Sequence, residues 1–352
     1  MSAWDVKGSV SHPVRISISM SERVFRQNLT STYLSAGNLL HCVSGSTSEF
    51  PMKIGVAKCV SLAAVLLIIV FSEKAMSRFF LPSADDKPAV LVGAGDIADC
   101  SNIAGAEATA KLIEQIPGTV MAIGDLAYPD GTKENFACYD RTWGRFKSRT
   151  RPAPGNHDYH SSGATFYFEY FGGAAGDPKD GFYSYELGTW HIVVLNSECK
   201  EVGGCYAGSR QENWLRADLA AHPTACALAY FHKPMFSSGA THGNDLELKP
   251  LWQALYDGNV DIAVGGHDHD YERFGPQTPD GKPDSKRGIR EFVAGTGGKS
   301  QRLFADPQPN SEVRNNDSFG VLKLTLHSKG YDWRFIPIAG KSFTDSGGAM
   351  CH

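Results

Sequence analysis

The chain lacks any block of like charge along its 352 residues: 34 Lys and Arg stand against 38 Asp and Glu, a net charge of −4. A nucleic-acid partner is therefore not expected, because binding a phosphate backbone needs clustered cations. With 42% hydrophobic and 20% charged residues and no internal repeat, collagen-like and wholesale disordered chains are excluded too. Long apolar runs are scarce. The run Val60–Phe71 holds twelve residues with a single Ser, short of the roughly 20 that span a bilayer. No two cysteines stand in a C-x-x-C pair, which argues against a zinc ribbon.

What is present begins with that short run. Preceded by Met52 and Lys53 and followed by Ala75-Met76-Ser77, it has the make-up of a signal-peptide core and cleavage site. Residues 1–51 then read as a non-native or disordered extension, with Met52 as the true start. Residues 52–77 read as a signal peptide or N-terminal anchor, and 83–352 as one domain. Cleaved, the product is secreted or periplasmic; uncleaved, it is held at a membrane. Beyond this segment six cysteines remain (Cys100, Cys138, Cys199, Cys205, Cys226 and Cys351), an even number that fits disulfides in an exported protein. Cys199 and Cys205 flank a Gly-Gly turn and could close a small loop. Cys100 and Cys138 follow motifs that should converge.

From residue 88 onward, strands are expected at 89–93, 120–123, 182–187, 191–196, 225–231, 260–264, 289–294, 320–326 and 333–338. Helices are expected at 104–115, 133–146, 211–221 and 246–256. Strands and helices alternate early and strands dominate late, so the fold class is α/β (α+β), a sandwich rather than a bundle.

Polar clusters follow five of these strands or the segments between them: Gly95-Asp96, Gly124-Asp125-Leu126-Ala127-Tyr128, Gly155-Asn156-His157-Asp158, His232-Lys233-Pro234 and Gly266-His267-Asp268-His269. In open α/β sheets the ligand site lies beyond the carboxyl ends of the strands, so all five point to one place. Their donors are carboxylate, amide oxygen, imidazole and phenol, which suit hard to borderline metal ions. The glycines should let the backbone turn sharply, and His-x-His should face one side as a strand end does. One Asp can bridge two cations, and a dinuclear site with ions about 3.5–4 Å apart fits this donor set.

The ordered set GD…GDxxY…GNHD…H…GHxH resembles the calcineurin-like metallophosphoesterases and, within them, the purple acid phosphatase branch. The resemblance runs from about Val90 to Gly298. It implies a four-layer α/β/β/α sandwich holding two metal ions. Asp96, Tyr128, His269 and a shared Asp125 would hold one ion; Asn156, His232, His267 and the same Asp125 would hold the other. His157 would contact phosphate and Asp158 would orient it. His242, ten residues after His232, would meet the leaving group. Ordinary members carry His where this chain has Ala98, and Tyr128 would supply the missing ligand; the purple branch more often has Gly there. A phenolate ligand implies Fe(III) paired with Fe(II), Zn(II) or Mn(II). The implied activity is hydrolysis of small-molecule phosphate monoesters by in-line attack of a metal-bound hydroxide. A phosphodiesterase on the same scaffold, or a non-catalytic exported metal-containing binding protein, are the alternatives. The sequence leaves oligomeric state open.

Gly93-x-Gly95-x-x-Ala98 also satisfies a dinucleotide-binding pattern, but Asp96 would set a carboxylate beside the pyrophosphate. Gly295–Gly298 reads as a turn in preference to a close backbone approach. Tyr271-Glu272-Arg273 reads as outer support for the metal ligands. His160, His191, His222 and His327 read as structural.

Overall fold

In the computed structural model, β1 (Ala89–Ala94) enters the interior directly. The structure describes residues 87–352, which lie within one compact unit. The expected extension, signal segment and apolar run all fall outside the described residues. The other strands are β2 (Thr119–Ile123), β3 (Thr150–Ala153), β4 (Tyr183–Leu187), β5 (Trp190–Val194), β6 (Ala227–Tyr230), β7 (Ile262–Gly265) and β8 (Tyr271–Phe274). Then come β9 (Arg290–Ala294), β10 (Ser311–Asn315), β11 (Gly320–His327), β12 (Gly330–Pro337) and β13 (Ser346–Met350). The helices are α1 (Ala104–Glu114), α2 (Lys133–Thr142), α3 (Thr165–Phe171), α4 (Arg210–Ala221) and α5 (Lys249–Asp257).

Two sheets face each other. One has the order β13-β12-β11-β1-β2-β3, the other β10-β8-β9-β7-β6-β5-β4. Alternation along each strand builds the layers, because successive side chains leave opposite faces of a sheet. Leu91, Met121, Ile123, Leu322 and Leu324 join Ile192, Leu228, Ile262 and Phe292 between the sheets. Their neighbours Val92, Ala94, Val120, Ala122 and Val321 face outward and are covered by Ala106, Ile113, Phe136 and Phe171 of the first three helices. On the far side Val193, Ala229 and Ala263 pack under Leu215, Leu251, Trp252 and Leu255 of α4 and α5. This is the α/β/β/α sandwich.

Local chemistry sets the helix ends. Thr132 and Asn135 form a capping box on α2, and Ser209 accepts a hydrogen bond from the Glu212 amide at the start of α4. Two expected helices are shorter than their periodicity implies. The 133–146 helix gives way to a 3-10 turn, Trp143–Arg149, and the 246–256 helix opens with one, Leu246–Leu248.

Strands β3, β8, β10 and β13 and helix α3 were not expected. β3 contains Pro152 and lies at a sheet edge, where a missing N–H is tolerated. β10 and β13 are half-exposed edge strands with no continuous apolar face. Disulfides join Cys100 to Cys138, Cys199 to Cys205 and Cys226 to Cys351. The first ties the loop after β1 to α2, the second closes the small Gly-Gly loop, and the third pins the C-terminus beside β6. Among the described residues no helix is long and apolar enough to cross a membrane.

Candidate metal centre

Strands β1, β2 and β3 run parallel in one sheet, and β5, β6, β7 and β9 run parallel in the other. Their carboxyl ends open on a common crevice. Asp96 follows β1, Asp125 follows β2, Asn156 and His157 follow β3, His232 follows β6 and His267 follows β7. Beyond β1 and β2 a short parallel pair, Ala98–Asp99 with Ala127–Tyr128, carries Tyr128 inward.

The turns are made differently from the sequence expectation. Gly124 has φ 70°, but the tightest turns fall on ligand candidates themselves: Asp96 (φ 61°), Asp125 (φ 52°) and His267 (φ 67°). Such left-handed conformations are uncommon outside glycine, and their clustering at one crevice is strain held where it positions side chains. Gly155 serves closeness instead: a Cβ there would lie 2.3 Å from the Asp125 amide nitrogen and carboxylate. The His-x-His segment is likewise no strand end. β7 stops at Gly265 and β8 begins at Tyr271, so the left-handed turn at His267 aims the two rings.

Six of the seven expected ligands bring donor atoms into mutual contact. The Tyr128 hydroxyl lies 2.7 Å from Asp96 Oδ1, 3.0 Å from Asp125 Oδ2 and 3.2 Å from His269 Nε2. His269 Nε2 is 3.2 Å from Asp96 Oδ1. On the other side of Asp125, His232 Nε2 is 3.2 Å from Oδ2, and His267 Nδ1 is 3.1 Å from His232 Nε2. Asp125 therefore stands between two donor groups. The seventh, Asn156, contributes a buried Oδ1 that has no hydrogen-bond partner. A buried acceptor left unpaired costs about 1–3 kcal/mol, so this oxygen calls for a cation or donor that the chain does not provide.

Partners outside the cluster set the tautomers. His232 Nδ1 donates to the Ile123 carbonyl at 2.9 Å, and His269 Nδ1 meets Ser300 Oγ at 2.6 Å. Each ring thus turns Nε2 toward the carboxylates, the usual arrangement of a metal-binding histidine. Charge has the same sense. Burial pushes His232 down, yet Asp125 and Asp96 outweigh it and raise the ring to about 10. Burial, and then Asp125 and Asp96, hold the Tyr128 phenol well above its ordinary value, so a phenolate here requires a strong cation. Carboxylates, imidazoles, amide oxygen and phenol are the donor types that take a metal, and one ligand atom each of Asp125, His232 and His267 lie within 4.8 Å of one another, close enough to share an ion.

The three residues expected to act on substrate are placed unevenly. His157 lies beside the cluster, its Nε2 3.9 Å from Asp125 Oδ2 and its ring 4.4 Å from that of Tyr128. Asp158 does not orient it. The Asp158 carboxylate instead accepts from the amides of Leu126 (3.1 Å) and Gly155 (2.9 Å), while His157 Nδ1 is held by the Pro129 carbonyl at 2.5 Å. Asp158 thus stitches the Asp125 turn to the Asn156 turn from beneath. Burial first, then Asp125, raises it to about 8. His242 stacks on His267 with centroids 3.8 Å apart, and its Nε2 meets the Arg302 guanidinium. An arginine only donates, so that nitrogen accepts, and in this contact it holds no proton to give to the leaving group that His242 is expected to meet.

Sequence reasoning missed Pro129, Ser300, Lys299 and Arg302. Lys299 lies 5.0 Å over the Tyr128 ring and pairs with Asp99. The available signal was Gly295–Gly298. It is a close backbone approach and not a simple turn: Cβ atoms at Gly295 and Gly298 would strike the Asp268 carbonyl at 2.0 Å and the Ala106 amide at 2.2 Å. That approach delivers residues 299–302 to the crevice. The support expected of Tyr271 and Arg273 lies elsewhere, since both bind Asp345. Glu272 holds the amide and hydroxyl of Ser238, in the loop that carries His242. His160, expected to be structural, lies against His157 with ring centroids 4.6 Å apart and planes tilted by 56°.

Fold and site together define a metallophosphoesterase: a model of the calcineurin-like phosphoesterase family matches residues 74–271, over half the chain, and the chain belongs to that family. Its curated relatives include purple acid phosphatases. An uncharacterised protein of Mycobacterium tuberculosis is 29% identical over 237 residues, covering 54% of this chain and 44% of that protein. The probable inactive purple acid phosphatase 1 of Arabidopsis thaliana is 28% identical over 264 residues (62% and 41%), and acid phosphatase type 7 of Homo sapiens 28% over 205 residues (49% and 46%). The chain thus spans about half the length of the curated relatives it matches. Among solved structures, a purple acid phosphatase from yellow lupin (Lupinus luteus) seeds shares the fold with a TM-score of 0.61 at 19% identity, over 76% of this chain and 55% of that one.

Proposed function

We propose that the chain is an exported, dinuclear-metal-dependent phosphatase that hydrolyses phosphate monoesters. The observation that supports this reading is Asp125 between two donor groups, the His232 and His267 rings on one side and the Tyr128 hydroxyl on the other, together with a buried Asn156 oxygen that has no partner. Asp96, Tyr128, His269 and Asp125 would hold one ion; Asn156, His232, His267 and Asp125 the second. Bound there, such ions supply an activated water and stabilise charge on the entering and leaving oxygens. A trivalent iron beside Tyr128, paired with Fe(II), Zn(II) or Mn(II), answers the need for a strong cation at the phenol.

The chain's own part is to bind and orient. His157, steadied by Pro129 and only a quarter exposed, points Nε2 at the crevice and is the phosphate contact. Arg302 and His242 line the rim above His267, where they can meet the ester oxygen. Three disulfides fit an oxidising compartment and support export. The name of one plant relative includes "inactive", so turnover itself is the test. Purified protein should contain two metal ions per chain and hydrolyse p-nitrophenyl phosphate faster than its bis ester. Chelation should abolish the activity and metal readdition restore it. Two bound metals with no turnover on either ester would sink the catalytic reading, and preference for the diester would move it to a phosphodiesterase.

A further inference from the structure

A second histidine cluster lies at the other end of the same sheet. His191 is the second residue of β5 and pairs in register with Ala227 at the start of β6, whereas His232 lies just past the end of β6. Five residues of extended chain separate the two levels by on the order of 15 Å. Asp218 and His222 stand four residues apart on α4 and its C-cap, which puts both on one helix face over β5.

We propose that His191, Asp218 and His222 form a third cation site, independent of the metal centre, for zinc or a similar borderline divalent ion. A ring nitrogen from each histidine and a carboxylate oxygen of Asp218 lie within 4.8 Å of one another. His191 Nε2 is 2.8 Å from Asp218 Oδ2, and His222 Nδ1 is 3.4 Å from Asp218 Oδ1. Two imidazoles and a carboxylate are the ligand types zinc takes, with the fourth position left to water.

The surroundings are built as they are around metal-binding histidines. The other nitrogen of His191 meets Glu186 Oε1 at 2.7 Å across the β4–β5 pair, the carboxylate–histidine arrangement that aims a ring at an ion. Ser184 Oγ donates to Asp218 Oδ1 at 2.8 Å and holds that carboxylate in place. His191 is buried, whereas the His222 side chain is 45% exposed, so the site is anchored on one side and open on the other. The two rings stack 4.6 Å apart and 13° from parallel. An ion there takes the place of a proton between His191 and Asp218, and His222, whose Nδ1 otherwise donates to the Asp218 carbonyl at 2.9 Å, joins it by turning its exposed ring. The comparable cluster at Cys226, Asp261 and Cys351 has no such capacity, because its two sulfurs are joined.

The test uses the full-length holoprotein with its resident metals in place, dialysed to equilibrium against zinc chloride and counted by inductively coupled plasma mass spectrometry. Wild type should take up one zinc equivalent more than His222→Ala, whose basal phosphatase activity is unchanged. In parallel, diethylpyrocarbonate modification of His222, read by peptide mass spectrometry, should slow about tenfold at zinc tenfold above half-saturation. His327, exposed and paired with Asp332, should react at an unchanged rate. Equal uptake by the two proteins, or unprotected His222, overturns the proposal. Neither readout depends on catalysis, so the result is separable from the phosphatase assignment.

Discussion

Two buried polar regions of this molecule solve the same problem in opposite ways. Around Asp345 the chain satisfies itself: the carboxylate accepts from Arg273 Nε at 2.6 Å, Tyr271 hydroxyl at 2.8 Å and Trp333 Nε1 at 3.1 Å, while Glu312 takes another guanidinium nitrogen. Around Asp125 carboxylates, imidazoles and a phenol crowd together with no Arg or Lys paired to them, and the nearest cationic partners are histidines. The first network is closed in charge and hydrogen bonds and serves stability. The second is left short of cations, which is the condition for binding them. Burial alone does not separate structural from functional polar groups; the balance of donors to acceptors does.

The largest break in that contrast should come from Asp125→Ala. It removes the residue shared by both donor groups, and both metals and nearly all turnover should go, a loss beyond the ~10–100-fold typical of outer-sphere changes. Metal analysis with a p-nitrophenyl phosphate assay checks this, and substantial residual activity would refute the shared-ligand assignment. Asp345→Ala should act on stability instead, costing about 3 kcal/mol because it leaves a largely buried guanidinium short of a partner. Burial raises the Asp345 carboxyl, but the hydrogen bonds of Arg273 and Tyr271 outweigh it and hold it below its ordinary value. A carboxyl lowered in the folded state stabilises above about pH 3.9 and loses that contribution as pH falls through its folded value. Urea unfolding between pH 5 and pH 2 should show this slope in wild type and a weaker one in Asp345→Asn; parallel slopes would count against it.

Tyr128→Phe sharpens the comparison at one atom. The substitution keeps the packing and deletes the hydroxyl, so any visible band of the purified protein should bleach while the other ligands still retain metal. An unchanged spectrum with unchanged iron excludes phenolate ligation. The smallest effect is expected from Ser300→Ala, which frees His269 Nδ1: about tenfold weaker metal retention, measured by competition with a chelator, with little change in melting temperature.

Legibility followed the same division. Strands with two buried faces, such as β1 and β7, announce themselves as apolar runs, and Gly-Asp, Gly-Asn and Gly-His just beyond them mark the crevice. β3 was hidden by Pro152 and β13 by its Gly-Gly, because edge strands carry no such signature. The ligand candidates were readable because each sits within four residues of a strand-end glycine or opens the turn itself, as His232 does. Their support was not. Ser300 and Arg302 reach His269 and His242 from 31 and 60 residues away, and Pro129 contributes a carbonyl, a group every residue has.

Order along the chain alone determined the layered α/β class, the crevice at the strand ends and the donor types that meet there, because these depend on local periodicity and residue chemistry. Which atoms touch was decided by the tertiary structure. Asp158 serves backbone amides and not His157, Tyr271 and Arg273 serve Asp345 and not the metal centre, and His191 meets Asp218 and His222 across a strand and a helix. Hydrogen-bond geometry tolerates only tenths of an ångström, and only the packing of two sheets sets positions that finely.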